Sequence, residues 1–177
     1  FDGSSDKIVL THSDANFYHL TISNTGGDVE ADTDIDVNGD LTISLGADLD
    51  IVSASNLEIA GNFSNSGTFT VDEETITFDG TGTVTTSAIS NAKTMINISK
   101  SSGSVTTVGN ISVDEITVTS SSFIIDGETV EVDDYVEVSG GTLQITSGLL
   151  HTTNGGETDF TLSGGTLDVD GGEVRIG

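Results

Sequence analysis

The chain contains no cysteine, no proline and no tryptophan, and it has few basic residues. The absence of cysteine excludes disulfide bonds and thiolate metal sites. The absence of proline removes a residue that interrupts strand pairing. Hydrophobic residues make up 34% of the chain, and no apolar run approaches the roughly 20 residues that a membrane helix needs. We therefore expect a chain of short strands and turns that does not insert into a membrane.

The charge of the chain is strongly one-sided, with 4 Lys and Arg against 29 Asp and Glu and a formal net charge of −25. Nucleic acid is excluded as a partner, because phosphate binding requires cationic side chains. An anionic membrane surface is disfavoured for the same reason. Such a charge keeps a protein soluble but destabilises its compact state through self-repulsion, which salt or divalent cations would relieve.

A long repeat runs along the chain. Phe1-Asp2-Gly3 recurs as Phe78-Asp79-Gly80, and residues 20–23 align with residues 96–99. The offset falls from 77 residues (Phe1 to Phe78) to 73 (Leu57 to Val130). We therefore divide the chain into one copy over residues 1–77, a second over 78–150 and a less regular tail over 151–177, all within a single domain.

A shorter period of 20 to 22 residues lies inside each copy, carried by strand-like pieces of the form apolar-x-apolar. The eight centres are Ile22, Ile43, Phe63, Val84, Ile98, Val118, Val138 and Phe160. No segment has helical periodicity. The sequence predicts an all-β parallel β-helix, or β-solenoid, of about eight turns of 20 to 22 residues with almost no helix. By analogy with most such folds we expect it to be right-handed.

Alternation over residues 31–43 predicts which side chains face the inside of the coil. Apolar or small residues occupy the odd positions from Ala31 to Ile43, and polar residues occupy the even positions from Asp32 to Thr42. Since successive strand side chains point to opposite faces, the odd positions are expected inside and the even ones in water. The alternation breaks phase at Asp134, which predicts a turn or bulge there.

The ends of the sequence carry no recognisable cap, because Phe1 opens a repeat and residues 174–177 stop within a strand pattern. Open solenoid ends present unpaired strands. We therefore expect this chain to be part of a longer solenoid, with neighbouring solenoid repeats or end-to-end self-association among its partners.

Four segments resemble a known kind of repeat. They are residues 17–27 (FYHLTISNTGG), 37–43 (VNGDLTI), 61–69 (GNFSNSGTF) and 75–82 (TITFDGTG). They are similar to the β-solenoid repeats of very large cell-surface adhesin and stalk proteins of Bacteroidetes-type bacteria. The resemblance implies a secreted, extracellular protein on a bacterial cell surface, often exported by the gliding-associated route, and it transfers no catalytic residues. The chain departs from these repeats in its acidity.

One acidic run is a candidate calcium site. It comprises Asp32, Asp34, Asp36, Asn38 and Asp40. Residues 34–39 match the start of an EF-hand calcium loop. The glutamate that should close that loop, at position 45, is replaced by Leu45. Alternate carboxylates of a straight strand lie about 7 Å apart, which is too far for neighbours to share one calcium ion. Two interpretations stay open: a solvated acidic row, or loose calcium binding between neighbouring turns, with no cofactor required otherwise.

Three acidic pairs are predicted in turns, where a cation could be held more compactly: Glu73-Glu74, Asp114-Glu115 and Asp133-Asp134. Carboxylate pairs also serve in glycoside hydrolysis. Against that role, the chain offers only Tyr18 and Tyr135 besides phenylalanine for sugar contacts, and no long insertion interrupts the repeats to form a cleft. His12, His19 and His151 are scattered without metal-ligand spacing. Thr-x-Thr pairs, such as Thr75-Ile76-Thr77, do not recur each turn.

The sequence therefore favours a structural or adhesive segment, such as a stalk, spacer or filament unit, rather than an enzyme. The alternative is a calcium-assisted module that binds surface glycans or another partner. A polysaccharide-active β-helix enzyme is the remote third hypothesis.

Overall fold

The computed structural model describes residues 1–3, 8–10, 15–52, 55–71, 73–153 and 159–177. The described residues form 22 β-strands and no helix. His12 lies outside them. None of the described segments is a helix that could cross a lipid bilayer. The strands are β1 (Ile8–Leu10), β2 (Ala15–Phe17), β3 (Leu20–Ile22), β4 (Val29–Ala31), β5 (Ile35–Val37), β6 (Leu41–Ile43), β7 (Asp48–Ile51), β8 (Leu57–Ile59), β9 (Phe63–Asn65), β10 (Thr68–Val71), β11 (Thr75–Phe78), β12 (Thr83–Thr86), β13 (Ile89–Ile98), β14 (Ser104–Thr107), β15 (Ile111–Val118), β16 (Ser122–Ile125), β17 (Thr129–Val138), β18 (Thr142–Ile145), β19 (Leu149–Thr152), β20 (Phe160–Leu162), β21 (Thr166–Val169) and β22 (Glu173–Ile176).

These strands stack into three parallel sheets that share one core. The first sheet has the order β1-β4-β7-β10. The second has the order β2-β5-β8-β11-β13-β15-β17-β19-β22, with β20 paired to β17. The third has eight strands in the order β21-β18-β16-β14-β12-β9-β6-β3. The chain visits the sheets in turn, as β4, β5 and β6 do, so the predicted all-β parallel solenoid of about eight turns is confirmed.

The length of a turn varies more than the sequence predicts. Paired residues are 18 positions apart from Ser104 to Ser122 and 24 apart from Thr142 to Thr166. Part of this variation lies within the long strands of the second sheet, where three residues of β13 lie opposite a single residue of β15 between the pairs Asn91–Val113 and Met95–Glu115. Strand pairing on either side of such an irregularity fixes the register, although the number of residues per turn differs.

The alternation predicted over residues 31–43 survives, but these residues do not form one strand. They turn two corners and contribute to β4, β5 and β6, one strand in each sheet. Ala31, Ile35, Val37, Leu41 and Ile43 are all at most 1% exposed. The inward row stays in phase because each corner between these strands contains three residues. The outward polar residues between Asp32 and Asp40 therefore follow the chain around two corners and do not lie in one straight row.

Long strands in the second sheet turn their corner by a bulge rather than a break. In the β15–β17 pair the register moves from Val113 opposite Val132 to Glu115 opposite Tyr135. Asp133 and Asp134 of β17 therefore face a single residue of β15, which confirms the bulge predicted at Asp134. The turn predicted at Asp114-Glu115 is wrong, since both residues lie within β15. Glu73 and Glu74 do lie between strands, and Glu73 has a left-handed backbone with φ of 68°.

Equivalent segments of the two sequence copies lie on different sheets. Residues 20–22 are in the third sheet, whereas the aligned residues 96–98 are in the second. Leu49 of the first sheet likewise aligns with Phe123 of the third. The long sequence repeat does not span a whole number of turns, so it describes a succession of strand types and not a rotational symmetry.

The last described turn has an open face. Val138 and Ile145 are fully buried, whereas their partners one turn later, Leu162 and Val169, are 51% and 45% exposed. No described turn covers the far side of these two side chains.

Candidate functional site

The outer face of the second sheet brings together acidic residues that are distant in sequence. Asp36 of β5 lies in register with Glu58 of β8 and with Asn16 of β2. A shallow groove of about 480 Å³ covers this region. Its polar lining consists of Asn16, Asp34, Asp36, Asn56, Glu58, Thr75 and Thr77. Two of the five candidate calcium ligands, Asp34 and Asp36, therefore meet a third carboxylate here.

Asp34 and Asp40 perform a structural task at the two corners that flank β5. Asp34 Oδ1 accepts a hydrogen bond of 2.7 Å from the backbone N–H of Asn56, one turn later. Asp40 Oδ1 accepts hydrogen bonds from the backbone N–H of Asn62 at 2.8 Å and from its Nδ2 at 3.0 Å. These side-chain oxygens pair a corner N–H with the neighbouring turn, where the strand ladder is interrupted.

The same device continues up the stack. Asn62 Oδ1 accepts from the backbone N–H of Thr85 at 2.9 Å, and Asn110 Oδ1 accepts from that of Thr129 at 2.9 Å. Because Asp and Asn both offer a side-chain oxygen, the position requires an acceptor and not a charge. The acidity at Asp34 and Asp40 therefore needs no metal to explain it.

The other members of the acidic run differ from one another. Asp36 Oδ2 accepts hydrogen bonds from Nδ2 of Asn16 at 2.7 Å and of Asn38 at 3.3 Å. Asn38 Nδ2 also donates to Asn16 Oδ1 at 3.0 Å. Asp32 is exposed at the corner after β4. The run thus spreads around one turn instead of forming one cluster.

Burial and like charges act on Glu58. Partial burial is the first cause that raises the pKa of the Glu58 carboxyl, and the nearby carboxylates of Asp79, Asp36 and Asp34 are the second. The stacked carboxylates of the groove therefore favour protonation or cation association in the folded state.

A second pair of carboxylates lies where the strands of the first sheet begin. Asp48 precedes Leu49, which pairs with Val29, so Asp48 stands above Asp28. Burial, and then the charges of Asp28 and Asp50, raise the pKa of Asp48. Asp48 Oδ1 is buried without a hydrogen-bond partner among the described residues.

The three predicted acidic pairs have different surroundings. Glu73 forms an exposed ion pair with Lys93, with Nζ to Oε1 at 2.7 Å. Burial first, and then Asp134 and Asp133, raise the pKa of Asp114 at the bulge. The pairs Asp114-Glu115 and Asp133-Asp134 therefore lie close to one another at the bulge, so each adds negative charge beside the other. The charge of Glu73, in contrast, is offset by Lys93.

No three His, Cys, Asp or Glu side chains in the described ranges are grouped so as to hold a metal ion. The carboxylates are stacked in rows along the rod, and several of their oxygens already accept hydrogen bonds. Calcium binding by Asp32, Asp34, Asp36, Asn38 and Asp40 stays a prediction.

Lys100 is a buried cation that the sequence analysis did not single out. The residue is 0% exposed, and its Nζ donates to the carbonyl oxygens of Asp79 at 2.6 Å and Ala60 at 3.1 Å. Burial lowers the pKa of the ammonium, while the Asp79 carboxylate opposes that effect. These contacts reach across two successive turns, so Lys100 ties three turns together at one corner.

His19 and His151 lie on different turns, and His151 pairs in register with Glu131 and Arg175. The two threonines of the Thr75-Ile76-Thr77 segment lie in the second sheet. They do not recur on the next turn, where Met95 and Asn97 occupy the equivalent positions. Glu58, like Lys100, was not among the candidate residues that the sequence indicated. The sequence did contain a signal for Glu58. Asp36 and Glu58 are 22 residues apart, which is one turn of the predicted repeat, and each lies between two apolar residues.

Comparison with protein-family models, with curated proteins and with solved structures gives no match to this chain. The resemblance to Bacteroidetes-type surface repeats therefore stays a prediction. The solenoid fold by itself does not separate an adhesive role from an enzymatic one, because function resides in sites carried by a fold.

Proposed function

We propose that this chain is a structural or adhesive β-solenoid segment, such as a stalk, spacer or filament unit, of a secreted bacterial cell-surface protein. One observation carries the proposal: the parallel ladder continues through eight strands of the third sheet, from β3 to β21. At a spacing of about 4.8 Å, eight stacked strands span a rod of roughly 40 Å.

The corners add to the stiffness of such a rod. Side-chain acceptors at Asp34, Asp40, Asn62 and Asn110 pair with backbone N–H groups one turn away, so the turns are joined between the sheets as well as within them. Each turn can bury its apolar face only against its neighbours, which makes the stack cooperative. The acidic coat keeps the rod soluble.

The experiment is single-molecule force spectroscopy on the chain placed between two marker domains of known unfolding force. A spacer is expected to transmit force without lengthening and then to unfold abruptly. Gradual extension at low force, as in a flexible linker, would contradict the proposal. Incubation with acidic and neutral polysaccharides tests the enzyme alternative, and release of reducing ends by the purified chain would favour that alternative.

Calcium-assisted binding of a surface glycan or protein is the second candidate. The observation that favours it is the stacking of carboxylates one turn apart, Asp36 with Glu58 and Asp28 with Asp48. Burial raises the pKa values of Glu58 and Asp48 most, and repulsion by neighbouring carboxylates adds to the effect. A cation between such pairs would relieve that repulsion. A glycan array read with calcium and with EDTA tests this candidate.

A further inference from the structure

An exposed pair of rings lies at the corner between β2 and β3. Tyr18 is 75% exposed, although large aromatic side chains usually contribute to a core. The Tyr18 and His19 ring centroids are 4.6 Å apart, and the ring planes meet at 77°. Two aromatic surfaces at nearly a right angle form an open, L-shaped corner on the side of the rod.

The imidazole of His19 has a fixed orientation and tautomer. The backbone N–H of Asp40 donates to His19 Nδ1 at 2.8 Å, so the neutral ring carries its proton on Nε2. Within the described residues, neither Nε2 nor the Tyr18 hydroxyl has a hydrogen-bond partner. The His19 side chain is 53% exposed, which leaves that N–H accessible.

The next turn is built to accommodate the histidine ring. A Cβ on Gly39 would lie 2.6 Å from His19 Nδ1 and 2.4 Å from the carbonyl oxygen of Tyr18. Only glycine therefore lets the corner of one turn stack on the ring of the turn below. Asp40, held by two hydrogen bonds from Asn62, places a carboxylate oxygen 3.7 Å from His19 Nδ1.

We propose that Tyr18 and His19 form a binding subsite for one neutral pyranose unit of a surface glycan. A sugar ring has a C–H face that packs on an aromatic ring, and its hydroxyl groups can both donate and accept hydrogen bonds. The corner supplies an exposed aromatic surface, a fixed N–H donor at Nε2, and hydroxyl and carboxylate acceptors. Recognition sites for small polar ligands combine such aromatic surface with a few oriented polar groups.

Charge decides which ligand is favoured. With a net charge of −25, the chain repels anionic sugars, which excludes sulfated and uronic-acid polymers as good ligands. An ammonium ligand would be attracted by the field but would meet the Nε2–H donor, whereas a neutral hydroxyl can accept from it. The inference rests on the adhesive part of the proposed function and is independent of the spacer part.

Saturation-transfer difference NMR on the whole 177-residue chain in EDTA tests the proposal, with glucose, galactose, mannose and N-acetylglucosamine methyl glycosides as the probes. We expect transfer to the ring protons of at least one glycoside. Tyr18→Ala should weaken binding about tenfold, because it removes the stacking surface. Tyr18→Phe keeps the aromatic ring and loses only the hydroxyl, so it should weaken binding less than Tyr18→Ala does. Leu45→Ala, which alters a side chain 82% exposed at another corner, is the matched control.

Circular dichroism and thermal melting establish that each variant keeps the fold. Absence of transfer to every neutral glycoside would overturn the proposal, as would equal binding by Tyr18→Ala and Leu45→Ala. Methyl glucosaminide is the cationic comparison probe, and transfer to it alone would assign the corner to organic cations and would also overturn the proposal. None of these outcomes bears on force transmission by the rod, so the spacer role is judged separately.

Discussion

Asp40 and Asn62 lie one turn apart, and Asp40 Oδ1 accepts hydrogen bonds from both the backbone N–H and the side-chain amide of Asn62, at 2.8 and 3.0 Å. This pairing places a side-chain oxygen where the strand ladder lacks a backbone acceptor. A carboxylate that looks like a metal ligand in the sequence is thus part of the hydrogen bonding that closes the corner. The fold and the acidic surface are coupled at this position.

Asp40→Ala should lower the free energy of unfolding by about 1–2 kcal/mol, because it removes the acceptor of two hydrogen bonds. Asp40→Asn keeps Oδ1 and should cost less than about 0.5 kcal/mol, since the charge at this exposed corner contributes little. Urea denaturation followed by circular dichroism measures both. Equal destabilisation by the two substitutions would show that charge, and not the acceptor, is what the corner requires.

The sequence predicted the stacking but not the path of each turn. Alternation of apolar residues identified the inward positions correctly, because burial enforces that pattern at Ile35 and Val37 in any solenoid. The corners could not be placed, since small residues such as Gly39 continue the alternation through a bend. Asp36 and Glu58 meet in the groove only because their turns stack in register. The sequence alone does not predict that register, because it does not give the number of residues at each corner.

Glu58→Gln should raise stability at pH 7 by about a few tenths of a kcal/mol, a small effect because the side chain is largely exposed. The folded-state pKa of Glu58 is raised above its usual value of 4.5, so the folded chain binds more protons than the unfolded chain in the window between the two values. Wild-type stability should therefore rise as the pH falls through that window, and the variant should show less of this rise.

The control for this pH effect is Glu137→Gln. Glu137 lies outward on β17, in register with Thr117 and Thr161 instead of another carboxylate. Melting temperatures of the three proteins between pH 4 and 8 provide the comparison. A steeper fall of stability with rising pH in Glu58→Gln than in the wild type would contradict the expected sign.

Calcium should raise the melting temperature more than sodium chloride does at the same ionic strength. Salt screens the repulsion between exposed carboxylates, whereas a divalent ion held between stacked pairs adds a binding free energy of about 1 kcal/mol at five times its dissociation constant. The double substitution Asp36→Asn with Glu58→Gln should reduce the excess effect of calcium. Identical calcium and sodium curves in the wild type would limit the effect to screening.

Lys100→Met should lower the free energy of unfolding by about 1–3 kcal/mol, because the carbonyl oxygens of Ala60 and Asp79 would lose a buried, charged donor. Lys93→Met removes an exposed ion pair with Glu73 and should cost less than about 0.5 kcal/mol. Chemical denaturation of both variants gives the comparison. A Lys100→Met protein as stable as the wild type would mean that neighbouring groups satisfy both carbonyls.

Thr152→Val should stabilise the chain. Thr152 is 0% exposed, and its Oγ1 has no hydrogen-bond partner in the described part of the chain. Valine has nearly the same shape, and replacing the hydroxyl by a methyl group removes the cost of burying an unpaired polar atom, about 1 kcal/mol. Thr86 is the matched control, because it is equally buried but its hydroxyl donates to the carbonyl oxygen of Ser87 at 3.2 Å.

Thr86→Val should therefore be neutral or destabilising, although the two substitutions are chemically identical. Urea denaturation is the suitable measurement, since Thr152 lies one turn below the open face of the rod and pairs with the half-exposed Ile176. Local fraying at that end would reduce the size of the stabilisation that Thr152→Val gives in global unfolding, but it would not turn the stabilisation into a destabilisation. A Thr152→Val protein less stable than the wild type would show that the hydroxyl has a partner, such as a buried water, that valine cannot replace.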